Sequence, residues 1–204
     1  MRKMMLVAAA MLLSMGVKAQ SAVGSWSFQP KLGINLATMT DDEGADTRVA
    51  LVGGAEFEYQ SSKQFSLSFG ALYSQQGCKA SSNGLTGTIK MDYVNIPVLA
   101  NFYVAKGFAL KVGIQPGILV NDKVKVSYGG ASAEIGIKES FRDIGIDADV
   151  KSFVLAVPLG LSYEFSNILL DARYNIGVSK AISAEGESTK HNVFQLTVGY
   201  KFSL

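Results

Sequence analysis

Eight stretches of this chain alternate apolar and polar side chains with a period of two, and no other feature narrows the fold so much. The run 65–75, FSLSFGALYSQ, sets Phe65, Leu67, Phe69, Ala71 and Tyr73 against Ser66, Ser68, Gly70 and Ser74. The closing run 193–204, VFQLTVGYKFSL, sets Phe194, Leu196, Val198, Tyr200, Phe202 and Leu204 against Gln195, Thr197, Gly199, Lys201 and Ser203. The other six cover 27–39, 49–60, 88–104, 108–120, 152–165 and 168–180. Side chains along a strand point alternately to opposite faces, so each run reads as a strand with one apolar and one polar face.

The connections show a second regularity. Runs two and three are joined by SSKQ, four and five by AKG, six and seven by SN, all tight-turn lengths. The segments 40–48, 76–87, 121–151 and 181–192 are long. Short and long connections alternate, as in an antiparallel up-and-down sheet with all its short turns at one end. The expected fold is all-β, an eight-stranded antiparallel up-and-down transmembrane β-barrel whose last run pairs with its first and leaves no open edge. The segment 121–151 contains KVKVSYGG and AEIGIKESF, which also alternate. We read it as a hairpin extending strands five and six; as a separate pair it would give ten strands.

Alternation alone leaves open which face meets water. A soluble lipocalin-type barrel turns its apolar face inward around a ligand, whereas an outer-membrane barrel turns it outward to lipid. Three features favour the second. The apolar faces are about as long as a tilted strand needs to cross a bilayer. Aromatic residues gather beside the short turns, at Phe57, Tyr59, Phe65, Phe102, Phe108, Tyr163, Phe165, Tyr200 and Phe202, as an interfacial girdle does. The polar face is rich in Gly, Ser, Asn and Gln, with few charges: Lys31, Glu56, Glu58, Lys111, Glu164, Asp171, Arg173 and Lys201. An eight-stranded barrel has room inside only for its own side chains, and charges buried there need partners. We therefore expect those eight residues to form a paired polar network plugging the lumen. Pro97, Pro116 and Pro158 fall inside strands, and the pattern supplies no reason for them.

The first twenty residues, MRKMMLVAAAMLLSMGVKAQ, combine Arg2 and Lys3, an apolar run from Met4 to Met15, and small residues at Val17 and Ala19. That is the form of a secretory signal peptide over residues 1–19, with a cut between Ala19 and Gln20. Residues 20–204 then form the barrel domain, exported to a Gram-negative outer membrane. The formal net charge is +2 and 18% of residues are charged, which gives no reason to expect nucleic acid. Cys78 is the one cysteine, so no internal disulfide is available.

KLGINLATM near the start, YVNIPVLANFY in the middle and LTVGYKFSL at the end resemble the PorT-like outer-membrane β-barrel family of Bacteroidetes-type bacteria, over roughly residues 28–204. Members commonly open on a glycine-rich G-x-N strand and carry an I-P-L-like segment after a tyrosine in the fourth strand. Here that segment runs from Tyr93 to Val98, so the resemblance leads one to expect Pro97. It implies a barrel fold and little about function. The founding member serves a secretion system, and that role does not transfer by default. Many such barrels end in an aromatic-bearing strand read by the assembly machinery; here Phe202 stands two places from the end.

No constellation of catalytic residues stands out, and we expect a non-enzyme without cofactor, metal or catalytic site. His191, in EGESTKHN, reads as an exposed loop residue. The acidic DDEGAD, 41–46, lacks calcium-loop spacing and reads as a solvated loop. The expected partners are outer-membrane lipid, the barrel-assembly machinery and a protein docking at the loops or the periplasmic turns. The expected role is structural or interactive, presenting surface loops above a plugged lumen. The alternatives are a small porin-like pore or transport or secretion-system accessory, and a soluble lipocalin-like binder.

Overall fold

Each alternating run must hydrogen-bond both of its edges, and in this chain a closed ring achieves it. In the computed structural model, residues 22–39, 46–82, 85–128, 131–137, 148–184 and 187–204 are described. The signal segment 1–19, Gln20 and all of DDEGAD except Asp46 lie outside them. The strands are β1 (Trp26–Met39), β2 (Asp46–Gln60), β3 (Phe65–Ser82), β4 (Leu85–Asn95), β5 (Val98–Ala105), β6 (Phe108–Tyr128), β7 (Ala131–Gly136), β8 (Ala148–Val150), β9 (Phe153–Phe165), β10 (Ile168–Gly177), β11 (Ile182–Ala184), β12 (Glu187–Thr189), β13 (His191–Tyr200) and β14 (Phe202–Ser203). Going round the wall, the order is β1, β2, β3, β4 with β5, β6, β9, β10 and β13 with β14. Closure is antiparallel, with Leu32 opposite Val198 and Ile34 opposite Leu196. The wall thus has eight staves, as the alternation required. The tight turn between β5 and β6 uses Gly107 at φ 74°, a left-handed conformation that glycine adopts without steric cost.

Two staves are split in two, and proline explains both splits. β4 and β5 part at Ile96–Pro97, opposite Gln115 and Pro116 of β6, where the pairing breaks off at Asn95↔Gly117 and resumes in the same register at Val98↔Ile114. β13 and β14 part at Lys201. There the pairing with β1 skips from Lys31↔Gly199 to Phe28↔Phe202, leaving Gln29 and Pro30 unpaired on that side. The β6–β9 ladder likewise skips from Val112↔Leu159 to Gln115↔Ala156, across Pro158. Each of the chain's four prolines therefore sits at a ladder gap, where its missing N–H leaves no acceptor waiting.

The segment 121–151 departs from expectation. β6 does run on to Tyr128, and β7 folds back along it, with Lys125 opposite Glu134. The stave that follows is not extended: β9 starts at Phe153, and β8 joins β11 and β12 in a separate three-stranded sheet. Extension is therefore one-sided, because Ala148–Val150 find their ladder partners in the later connection.

Even-numbered residues of β1 and β13, and odd-numbered ones of β2 and β3, point outward. Leu32, Val49, Leu51 and Val104 are all at least 60% exposed. The outward apolar band covers residues 26–36, 49–59, 65–73, 94–104, 108–120, 153–165, 168–178 and 194–204. So much contiguous exposed apolar surface requires lipid, and these are the membrane-spanning segments. The soluble lipocalin alternative needs the opposite orientation and does not fit. At the end that carries the short turns, Trp26 lies 5.0 Å from Tyr59, Phe65 5.2 Å from Phe102 and Tyr200 4.6 Å from Phe202, measured between ring centroids. Tyr59, Phe65, Phe102, Phe108, Tyr163, Phe165, Tyr200 and Phe202 lie on this outward wall, with Trp26 beside Tyr59.

Candidate functional site: the barrel lumen

The inward faces carry every charged residue that the alternation assigned to them. Lys31, Glu56, Glu58, Lys111, Glu164, Asp171, Arg173 and Lys201 are all at most 4% exposed. Four acids meet four bases, in two groups at different heights.

The central group lies midway along the lumen. Arg173 donates from Nη1 to Glu56 Oε1 at 2.6 Å and from Nη2 to Glu56 Oε2 at 2.9 Å. It also donates from Nη2 to Asp171 Oδ2 at 2.8 Å, and its Nε lies 2.6 Å from Asp171 Oδ1, off the N–H axis. Lys31 Nζ reaches Glu56 at 2.5 Å and Asp171 at 3.4 Å, and Lys111 Nζ reaches Asp171 at 2.6 Å. Staves β1, β2, β6 and β10 are thereby tied together across the axis. Such a dry cluster is tolerable only because each charge meets opposite charge at hydrogen-bond distance. Local sequence makes the room. Gly160 stands opposite both Lys111 and Arg173, and a Cβ there would lie 2.9 Å from Arg173 Cγ and 2.6 Å from the Ala172 carbonyl oxygen. Gly70 does the same for Glu56.

The second group sits nearer the short turns. Lys201 Nζ donates to Glu164 at 2.9 Å and to Glu58 at 3.3 Å. Glu58 also accepts from Gln29 at 2.5 Å, Ser66 at 2.9 Å and Tyr103 at 2.6 Å. Asn101 donates to Ser66 and Ser68. Tyr103, Gln29, Ser66 and Asn101 are lumen residues that charge counting missed. Their signal was parity: each lies on the polar face of its run.

Above the central group, on the side away from the short turns, buried amides take over, among them Gln76, Asn95, Gln115 and Asn175. They line a cavity of about 20 Å³, a volume suited to water rather than to a larger solute. A shallow concavity of about 810 Å³ bounded by Ile34, Leu161, Leu170, Leu196 and Val198 lies on the outer wall instead. Its lining is the lipid-facing band, so it is no route for a polar solute.

The far end of the lumen corrects the expectation of a wholly polar plug. Met39, Cys78, Met91 and Tyr93 point inward there and pack with Ile137, Val150, Ala181 and Ile182 in one buried apolar cluster. Ile137, Val150, Ala181 and Ile182 come from the long connections, which fold back over the mouth. His191 is a second correction. It opens β13 opposite Met39 and is 6% exposed, not a loop residue in water. Its Nε2 lies 3.1 Å from Tyr93 Oη, with the two rings edge to face at 5.4 Å. Burial pushes its imidazole down to about 4, so the ring is neutral at pH 7.

The family described as "Outer membrane protein beta-barrel domain" matches residues 18–183. No curated protein matches the chain. Among solved structures the chain is similar to the attachment invasion locus protein Ail of Yersinia pestis, at 16% identity over 89% of this chain and 100% of that one, TM-score 0.45. It is similar to Neisserial surface protein A at 14% identity, covering 90% and 100% with TM-score 0.49. It is also similar to OprG of Pseudomonas aeruginosa at 14% identity, covering 92% and 99% with TM-score 0.48.

Proposed function

This chain belongs to the outer membrane protein β-barrel domain family, and on that premise we propose that it is a closed, non-catalytic barrel with a structural or interaction role. The observation that carries this reading is the central cluster. Arg173, Glu56, Lys31, Asp171 and Lys111 join four staves across the axis, and with Lys201, Glu58 and Glu164 below them the lumen's four cations meet four carboxylates. The amide layer and the apolar far end close the same path twice more. A porin-like pore or transport accessory would need an open or displaceable lumen, and three stacked seals argue against it. What remains available to a partner is the surface beyond the lipid band, where β3, β4, β6 and β7 project.

Export by cleavage between Ala19 and Gln20 is part of this proposal, resting on the charged, apolar and small-residue order of residues 1–19. The PorT-like branch is the finer family reading, supported by KLGINLATM, YVNIPVLANFY and LTVGYKFSL; no secretion role is carried over from it. Planar-bilayer recording on the refolded protein tests the closed lumen. The expected result is a silent membrane in concentrated potassium chloride. Steady, reproducible conductance steps would overturn it.

A further inference from the structure

Beyond the lipid-facing band, β3, β4, β6 and β7 continue as a sheet with two unlike faces. Toward the barrel axis it carries Cys78, Ile89, Met91 and Val124, which pack into the apolar cluster. Alternation puts Lys79, Lys90, Lys123 and Lys125 on the other face. That face continues the wall which, just below, meets lipid through Tyr73 and Val120, both about half exposed.

The register sets these lysines in two rows. One row runs Lys79, Thr88, Lys125, Glu134; the next runs Gly77, Lys90, Lys123, Gly136. Lys90 and Lys123 are therefore directly opposed like charges, an arrangement that destabilises a strand pair. Asp46 stands opposite Lys79 at the sheet's edge. Glu134 is then the one carboxylate in these rows for the other three ammoniums, with Lys90 Nζ at 2.5 Å and Lys123 Nζ at 4.0 Å. Among the described residues of these rows, an excess of positive charge is held in place by backbone register, half in water, immediately above a lipid-facing wall.

Lipid headgroups lie at that height, and their phosphates supply the missing negative charge. We propose that this face binds phosphate-bearing headgroups of the leaflet through which the sheet emerges. Lys90 and Lys123 grip a phosphate between them, Lys125 supports them, and Glu134 is the internal anion that competes with it. This site goes beyond the closed-lumen reading and does not depend on it.

The test uses refolded protein immobilised in detergent and offered bisphosphorylated lipid A or the same lipid stripped of its phosphates. The phosphorylated form is expected to be retained at least about tenfold more strongly. Lys90→Gln with Lys123→Gln should reduce retention to the level of the stripped lipid. Lys63→Gln with Lys106→Gln, at the opposite end of the barrel, should change nothing. Glu134→Gln should raise retention, and it decides the matter if the lysine pair fails to fold on a heat-modifiability gel. Equal retention of the two lipids, indifference to the Lys90 and Lys123 changes, or a loss on Glu134→Gln would overturn the proposal. So would retention of dextran sulfate without any phosphate-dependent retention of lipid A, which would assign the face to a soluble polyanion.

Discussion

Arg173 and Glu56, 117 residues apart in the chain, meet inside the barrel through two parallel hydrogen bonds of 2.6 and 2.9 Å, both side chains fully buried. Removing one partner strands the other in a dry interior. Glu56→Gln leaves Arg173 and Lys31 facing Asp171 alone, and should cost about 3–5 kcal/mol of barrel stability. Urea unfolding of the refolded protein, followed by Trp26 fluorescence, checks this. An unchanged midpoint would mean that the cluster is not dry.

Gly160 is predicted to be intolerant of even one methyl group. The Cβ of Gly160→Ala would press on backbone at Ala172 and on the Arg173 stem, an overpacking that costs about 1–3 kcal/mol. Gly87→Ala is the control, since a Cβ there meets nothing within 4 Å. It should be neutral or slightly stabilising in the same urea titration.

His191 makes the far end of the barrel sensitive to acid. Its imidazole, set beyond the lipid band among Met39, Tyr93 and apolar neighbours, is held at about 4 against an ordinary 6.5. On opening it would regain its ordinary affinity for protons. The closed state is therefore at full strength above about pH 6.5 and weakens as pH falls toward 4, by about 3 kcal/mol in the limit. Hydrogen exchange at the start of β13 and the end of β1, corrected for intrinsic rates, should report easier opening at pH 5 than at pH 7.5. His191→Gln should abolish that difference.

The wall of this protein was legible in its sequence because period two is a strict code. One glance at Leu67 against Ser68, or Leu196 against Gln195, assigns both faces, and the lumen charges follow from parity. The far end was not legible. Ile137, Val150, Ala181 and Ile182 lie in long connections, where no period tells a residue that folds inward from one that faces water. His191 was misread for the same reason: its neighbours in the chain are polar, while its neighbours in space are Met39 and Tyr93. The prolines were visible as breaks but not as matched gaps, because Pro97 and Pro116 explain each other only once β4, β5 and β6 are side by side.

The orientation of the wall is the claim on which the rest depends, and lipid-phase quenching measures it most directly. With Trp26→Phe as background, single tryptophans are placed by Leu161→Trp and Leu196→Trp on the outer wall, and by Lys63→Trp at the tip of a short turn. Acyl chains carrying bromine should quench the first two strongly and the third weakly, while aqueous acrylamide should do the reverse. Tryptophans at 161 and 196 that escape bromine but yield to acrylamide would contradict an outward-facing apolar wall.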